Sequence, residues 1–211
     1  MHIGIIGAGW LGGTVGRQWV KAGHDILFSS RHPARHADMA RQMGPNASVC
    51  TVRQAAELSD VVLIAVPYSA VPGLGQELQE ALAGKIVLDA CNPYPPDPQD
   101  FRTAIEDEGV ALATARLLPG ARLVRAFSAV DATSVEASAD GRGAKLGVPL
   151  ASDDQKALAV AVQLVRDAGC EPVVVGVLAD ARSFQRGGPG FRANTDAGDL
   201  RRRLGLAPAR N

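Results

Sequence analysis

The chain lacks net charge: 22 lysines and arginines balance 22 aspartates and glutamates in 211 residues. Without an electrostatic footprint for nucleic acid or an anionic membrane surface, neither is expected as a partner. Aromatic residues make up only 4%. The longest apolar runs, such as Val61 to Val66, fall far short of the roughly 20 residues that a membrane span requires. Cysteine is scarce too: Cys50, Cys91 and Cys170 are odd in number, widely scattered and without CxxC spacing. That pattern argues against a disulfide framework or zinc site and suits reduced, structural thiols. No metal-ligand spacing occurs, so no metal is expected. The N-terminus has neither a basic start nor a small-residue cleavage site, which leads to the expectation of a cytoplasmic protein.

Glycine, in contrast, is plentiful at 23 residues, and its placement in the opening stretch MHIGIIGAGWLGGTVG is informative. Ile3, Ile5 and Ile6 read as a short buried strand, and Gly7, Gly9 and Gly12 follow at GxGxxG spacing. Leu11, Val15 and Trp19 then recur four residues apart on one helical face, with Gly23 as a stop. A glycine string alone is weak evidence. Between a strand and a helix, inside a strand-helix-strand unit that ends near Ser29, it is the fingerprint of a dinucleotide site. Gly7 permits the tight turn, Gly9 lets the backbone approach a pyrophosphate, and Gly12 lets helix and strand pack closely. The cradle expected for the cofactor is Gly7, Gly9, Trp10, Leu11 and Gly12, with the helix N–H groups facing the phosphates.

Further along, HDILFSS, DVVLIAVP, GKIVLDACNP and ARLVRAF read as strands, with a weaker one at Ser48 to Cys50. Their unbroken apolar runs are typical of parallel strands covered on both faces. Helical patterns alternate with them: from Pro33 to about Gly44, SAVPGLGQELQEALAG and DFRTAIEDEG. The second half adds KLGVPLAS, a helix from about Asp153 to Ala168, and the strand EPVVVGVL. The expected fold is therefore α/β, a Rossmann-type doubly wound and mostly parallel sheet with a small C-terminal α/β extension. Residues 1–130 form the cofactor-binding core, and 131–211 complete the sheet and the substrate side. The polar, glycine-rich FQRGGPGFRANTDAGD is a loop, with Gly187, Gly188 and Gly190 free to let it close over a ligand. Thr195 is the expected N-cap of a last helix, and Arg201, Arg202 and Arg203 complement its dipole; together with Arg186 and Arg192 they could instead attract an anionic substrate.

The end of the second strand chooses between nicotinamide cofactors. NAD binding calls for an Asp or Glu there, about 20 residues after the motif, to hold the adenosine ribose. This chain has FSSRHPAR instead, so Ser29, Ser30, Arg31 and Arg35 are expected to hold a 2′-phosphate, and the cofactor is read as NADP. His32 and His36 read as surface residues. Ligands of open α/β sheets lie beyond the strands' carboxyl ends, which brings AVPYSAV, DACNPYPP and RAFSAV to the cofactor. Ala65, Val66, Pro67, Asn92, Ala126 and Ser128 are its expected contacts there. Asp89 is read as fixing a turn and Cys91 as a bystander. No residue stands out as a catalytic acid or base, which suits hydride transfer between two aligned carbons.

The segments IGIIGAGWLGG, FSSRHP, DVVLIAVPYSAVPGL, LAGKIVLDACNPY and LPGARLVRAFSAV, in this order, resemble the NADPH:F420 oxidoreductase family, as do the later ASDD and EPVVVGVLADAR. The resemblance implies a Rossmann-type fold, hydride transfer between NADP and the deazaflavin coenzyme F420, and a homodimer. It also implies that Ser30 and Arg31 mark the preference for NADP. Reduction of another small substrate, such as an imine, carbonyl or metal chelate, is the alternative reading, and a non-catalytic NADPH-binding sensor is a further one.

Overall fold

In the computed structural model, which describes residues 1–30 and 32–208, the apolar runs become the inner strands of one eight-stranded sheet. The strands are β1 (His2–Ile6), β2 (Asp25–Ser29), β3 (Ala47–Cys50), β4 (Val61–Ile64), β5 (Ile86–Asp89), β6 (Arg122–Arg125), β7 (Gly147–Ala151) and β8 (Glu171–Gly176). Their spatial order is β3-β2-β1-β4-β5-β6-β7-β8. Pairing is parallel from β3 through to β6, and the winding direction reverses between β1 and β4. The strand β7 joins β6 antiparallel through one register pair, Arg125 with Ala151, and then pairs parallel with β8. This seam is reinforced by side chains: Ser152 Oγ donates to Leu123 O at 2.6 Å, and Arg122 holds Asp154 at 2.6 and 3.0 Å.

The helices are α1 (Trp10–Lys21), α2 (Ala37–Met43), α3 (Val52–Glu57), α4 (Val71–Leu82), α5 (Gln99–Glu108), α6 (Val110–Leu117), α7 (Ala132–Ala139), α8 (Gln155–Asp167) and α9 (Ala197–Arg203). They cover both faces and make two apolar layers, as a doubly wound sheet requires. On one face Trp19 of α1 is fully buried. Its indole Nε1 donates to Leu164 O of α8 at 2.7 Å, and its ring meets Phe127 edge-on with centroids 5.9 Å apart.

Local differences from the sequence expectations have local causes. Pro33 opens a 3₁₀ turn over Pro33–His36, and the α-helix begins only at Ala37. The helix α3 has six residues, too few to show a period, and is set by a capping box between Thr51 and Gln54. The helix α6 follows α5 after a single break at Gly109, which has φ +97°. The helices α3, α6 and α7 and a 3₁₀ stretch over Leu178–Phe184 were absent from the pattern reading. The last helix is capped by Asp196, not Thr195: the Asp196 carboxylate accepts from Asp199 N at 2.9 Å, whereas the Thr195 carbonyl is taken by Gly147 N.

Because Trp19 fills the space between α1, α8 and the sheet, Trp19→Ala is expected to destabilise the fold by about 3–5 kcal/mol in urea denaturation. A loss below about 1 kcal/mol would mean that the packing collapses to fill the gap.

Candidate functional site

The glycine turn is built as the chemistry of a phosphate cradle requires. Gly7 N and Ala8 N donate to Ser29 O at 3.0 and 3.2 Å, which ties the turn to the end of β2. Gly7 sits at φ +104°, and a Cβ there would run into the Ala65 carbonyl. A Cβ on Gly12 would strike the carbonyl of Gly7, so α1 can lie this close only because residue 12 has no side chain. At Gly9, by contrast, a Cβ would meet nothing within 4 Å among the described residues: its backbone faces open space. No side chain among those residues caps the start of α1, and its first turn holds no acidic residue. The helix amides are therefore left to an anion, and the residues present suit a dinucleotide pyrophosphate.

Beyond the strand ends lies a cleft of about 520 Å³, within the range of small-molecule sites. It brings together Trp10 and Leu11 of α1, Ala65, Val66 and Pro67 after β4, Asn92 after β5 and Ser128 after β6. Trp10 is 72% exposed at its edge. Of the other expected contacts, Ala126 is fully buried beneath the cleft and not on its wall. Ser29 is corrected: its side chain is fully buried and donates to Ile5 O at 3.0 Å, so its hydroxyl serves the sheet and cannot meet a ribose phosphate. Ser30 stands at the end of β2 with its Oγ accepting from His32 N at 3.1 Å. Arg31 and the Arg35 side chain lie outside what is described.

A residue passed over in the sequence organises the floor. Arg125, the last residue of β6, stands in register with Asp89 on β5, and both side chains are buried. Its Nη1 donates to Asp89 Oδ2 at 2.5 Å and to Cys91 O at 2.6 Å, and its Nη2 to Asn92 Oδ1 at 2.8 Å. Asp89 Oδ1 in turn accepts from Cys91 N at 2.9 Å, so Asp89 does fix the turn. The Asn92 amide, expected as a ligand contact, lines the cleft and also belongs to this network: its Nδ2 donates to Ser128 O at 2.7 Å. Ser128 Oγ is the converse case. Ser128 lines the cleft, but this atom is buried and has no hydrogen-bond partner among the described residues. The signal for Arg125 was one cation in an otherwise apolar strand end. Cys91 is inert here, its thiol pushed well up by burial and by the nearby Asp89.

The C-terminal loop reaches the cleft but is tied down, which corrects the expectation of a freely closing lid. Arg192 N donates to Ala129 O at 2.9 Å, and Asn194 exchanges two bonds with Asp131, at 3.0 and 2.6 Å. A Cβ on Gly188 would meet Ser183 O at 2.5 Å, so this glycine permits packing and is no hinge. Arg192 lines the cleft and is paired with Asp131 at 2.7 Å. Arg186 stands 5.5 Å over the Tyr94 ring at the cleft's margin. Arg202 and Arg203 pair with Asp199 of their own helix, and Arg201 donates to Ala207 O, so these three finish the helix.

Residues 2–93 match the family described as NADP oxidoreductase, coenzyme F420-dependent. The chain is 27% identical over 186 residues, 87% of its length, to Metalloreductase STEAP3 of Rattus norvegicus, and spans only 35% of that longer protein. Among solved structures it is similar to a hypothetical protein of Sinorhizobium meliloti, with 26% identity, a TM-score of 0.78, and coverage of 90% of this chain and 92% of that one. A candidate F420-dependent NADP-reductase from Arthrobacter sp. fb24 superposes with a TM-score of 0.69 at 20% identity, over 86% and 87% of the two chains. A Streptomyces aurantiacus imine reductase does so with 0.62 at 16%, over 83% and 56%. These last two likenesses concern the fold.

Replacing Arg125 by Met strands a buried carboxylate. It is expected to cost about 3–5 kcal/mol in chemical denaturation, and adding Asp89→Asn should restore much of the loss. A double variant no more stable than the single one would show that the guanidinium acts through packing alone.

Proposed function

We propose that this chain is an NAD(P)-dependent oxidoreductase that uses NADPH and reduces a second, conjugated small molecule, with coenzyme F420 as the first acceptor to test. The observation that carries this is a cleft that runs from Trp10 and Leu11, at the uncapped start of α1, to the loops after β4, β5 and β6. Much of its wall there is apolar. Residues 1–130 are assigned to the cofactor, and 131–211 complete the acceptor side through Asp131, Thr133 and Arg192.

In this reading the backbone at Gly9 and the first amides of α1 bind the pyrophosphate, while Ser30, Arg31 and Arg35 hold the 2′-phosphate. Bound there, NADPH supplies the hydride. Ala65, Val66 and Pro67 present small apolar surface that orients a flat ring and excludes water from one face. The Arg125–Asp89–Asn92 network keeps the loops after β5 and β6 at fixed separation, so that two reacting carbons can be aligned. No side chain is given an acid or base role, since alignment supplies most of what hydride transfer needs. A homodimer in the cytoplasm belongs to the same proposal.

A second acceptor class is favoured by one specific observation, the likeness over 87% of the chain to a protein named as a metalloreductase. Reduction of a metal chelate through the same cleft is the alternative.

The test is turnover with NADPH and oxidised F420, followed as loss of the deazaflavin's visible absorbance, with NADH in parallel. NADPH is expected to be preferred at least about tenfold in kcat/KM, and Arg31→Ala should weaken NADPH more than NADH. Equal losses for the two cofactors would remove the 2′-phosphate assignment. Tight NADPH binding with no turnover on F420 or a ferric chelate would leave a sensor.

A further inference from the structure

The helices α5 and α6 would be one helix if the chain did not turn at Gly109. In an unbroken helix Val110 N would donate to the Glu106 carbonyl four residues back. The positive φ of Gly109, +97°, parts the two groups, and the side chain of Gln185 bridges the gap from 75 residues further along the chain. Its Oε1 accepts from Val110 N at 3.1 Å, and its Nε2 donates to Glu106 O at 3.1 Å. Only this orientation of the amide satisfies both groups. Arg182 works beside it. Its guanidinium lies over Gly109, where a Cβ would come within 3.2 Å of Nε, and its Nη2 donates to Asp107 O at 2.5 Å. Two side chains of one segment thus close the end of α5 and the start of α6. The segment is itself anchored, since Leu178, Ala181 and Phe184 are buried.

This end of α5 matters to the cleft because α5 is thinly packed. Of its ten residues only Ile105 is buried. The stretch before it, Tyr94 to Asp97, lines the cleft. Among the described residues the backbone of that stretch bonds to itself and to α5: Asp97 N donates to Tyr94 O at 2.8 Å, and Asp97 O accepts from Arg102 Nε at 3.0 Å. The wall therefore stands where α5 stands. The C-terminal loop meets it a second time at the near end, where Phe191 faces the Tyr94 ring with centroids 6.3 Å apart and Arg186 lies over it. A ten-residue helix is about 15 Å long, so one loop grips α5 and its wall at two well-separated points.

We infer that Gln185 is a positioning residue: by bridging the α5–α6 break it ties α5, and with it the Tyr94–Asp97 wall, to the C-terminal loop, and so sets the fit of the second substrate. The inference rests on the proposed function for there being a second substrate; the tie itself does not. Gln185 is not among the residues that line the cleft, so it acts through α5 and touches no reacting atom.

Amide hydrogen exchange followed by NMR tests the tie without any substrate. In Gln185→Leu, which keeps the bulk and removes both bonds, Val110 N–H should exchange faster, as the loss of a local cap alone would predict. The deciding reporter is Asp97 N–H, bonded to Tyr94 O at the other end of α5. It should exchange at least about fivefold faster, with β1 and β4 unchanged. Gln185→Glu keeps an acceptor for Val110 N but sets a carboxylate against the Glu106 carbonyl, so it should leave Val110 protected and still free Asp97. If either variant held Asp97 as the native protein does, Gln185 would be a helix cap and the inference would fall. In turnover with NADPH, the acceptor KM, measured with F420 and with ferric citrate, should rise about three- to tenfold in both variants. The values of kcat and of KM for NADPH should stay within about twofold. A fall in kcat with the acceptor KM unchanged would overturn the positioning role. A native protein that binds NADPH and reduces neither acceptor would strike the proposed function, and the fit of a second substrate with it, while the Asp97 exchange still decides the tie.

Discussion

The ion pair between Arg125 and Asp89 is the constraint on which the candidate site depends. Two charges with side chains only 1% exposed are costly to bury, and such a pair survives where further hydrogen bonds satisfy what the partner leaves over. Here the Cys91 carbonyl and amide and the Asn92 side chain do so. The pair stands at the last register position of β5 and β6, where the strands give way to the loops that wall the cleft. A hydrophobic pair at this point would secure the sheet equally well, but it would not fix the loop backbones by direct bonds. The network thus converts the rigidity of two central strands into fixed positions for Asn92 and, through its amide, for Ser128.

The sheet's direction change at β7 has a related consequence. A strand that continued parallel after β6 would need another crossover and would place its following loop over the cleft end again. With β7 antiparallel, the segment between them, α7, begins at the cleft and leaves it. The one-pair seam is a weak ladder for two strands of the same sheet. It is supplemented by the bidentate Arg122–Asp154 pair and by Ser152, which binds the Leu123 carbonyl. The guanidinium holds the Asp154 carboxyl below the usual range, and the same carboxylate caps α8 through Lys156 N and Ala157 N.

How much of this was legible in the sequence follows from the range of each interaction. The glycine turn was readable because GxGxxG acts on its own neighbours: Gly7 and Gly12 meet Ala65 and each other across a strand and a turn that the apolar runs already announce. The positions Ala65 to Pro67 and Ser128 could be placed by the rule that ligands lie past the strand ends, and both reach the cleft. Ser29 failed because its neighbour across the sheet, the Ile5 carbonyl, is invisible to a local reading. Arg125 was missed for the same reason. Its role exists only opposite Asp89, 36 residues away. The short helices α3 and α7 carry too few turns for periodicity to register.

The C-terminal loop shows the limit most clearly. Glycine-rich composition suggests freedom, yet composition says nothing about what each glycine avoids. Gly188 lacks a side chain because the carbonyls of Arg182 and Ser183 occupy the space, and Gly190 because Phe184 and Leu204 do. What the loop delivers is Arg192 and Asn194 to Asp131, across about 60 residues of chain, and that delivery removes the carboxylate from the start of α7. The cleft is therefore preformed at its α7 side by the loop's hold on Asp131. Binding need not first order a lid, so the entropic cost of assembling the site is met during folding and not at each encounter with a ligand.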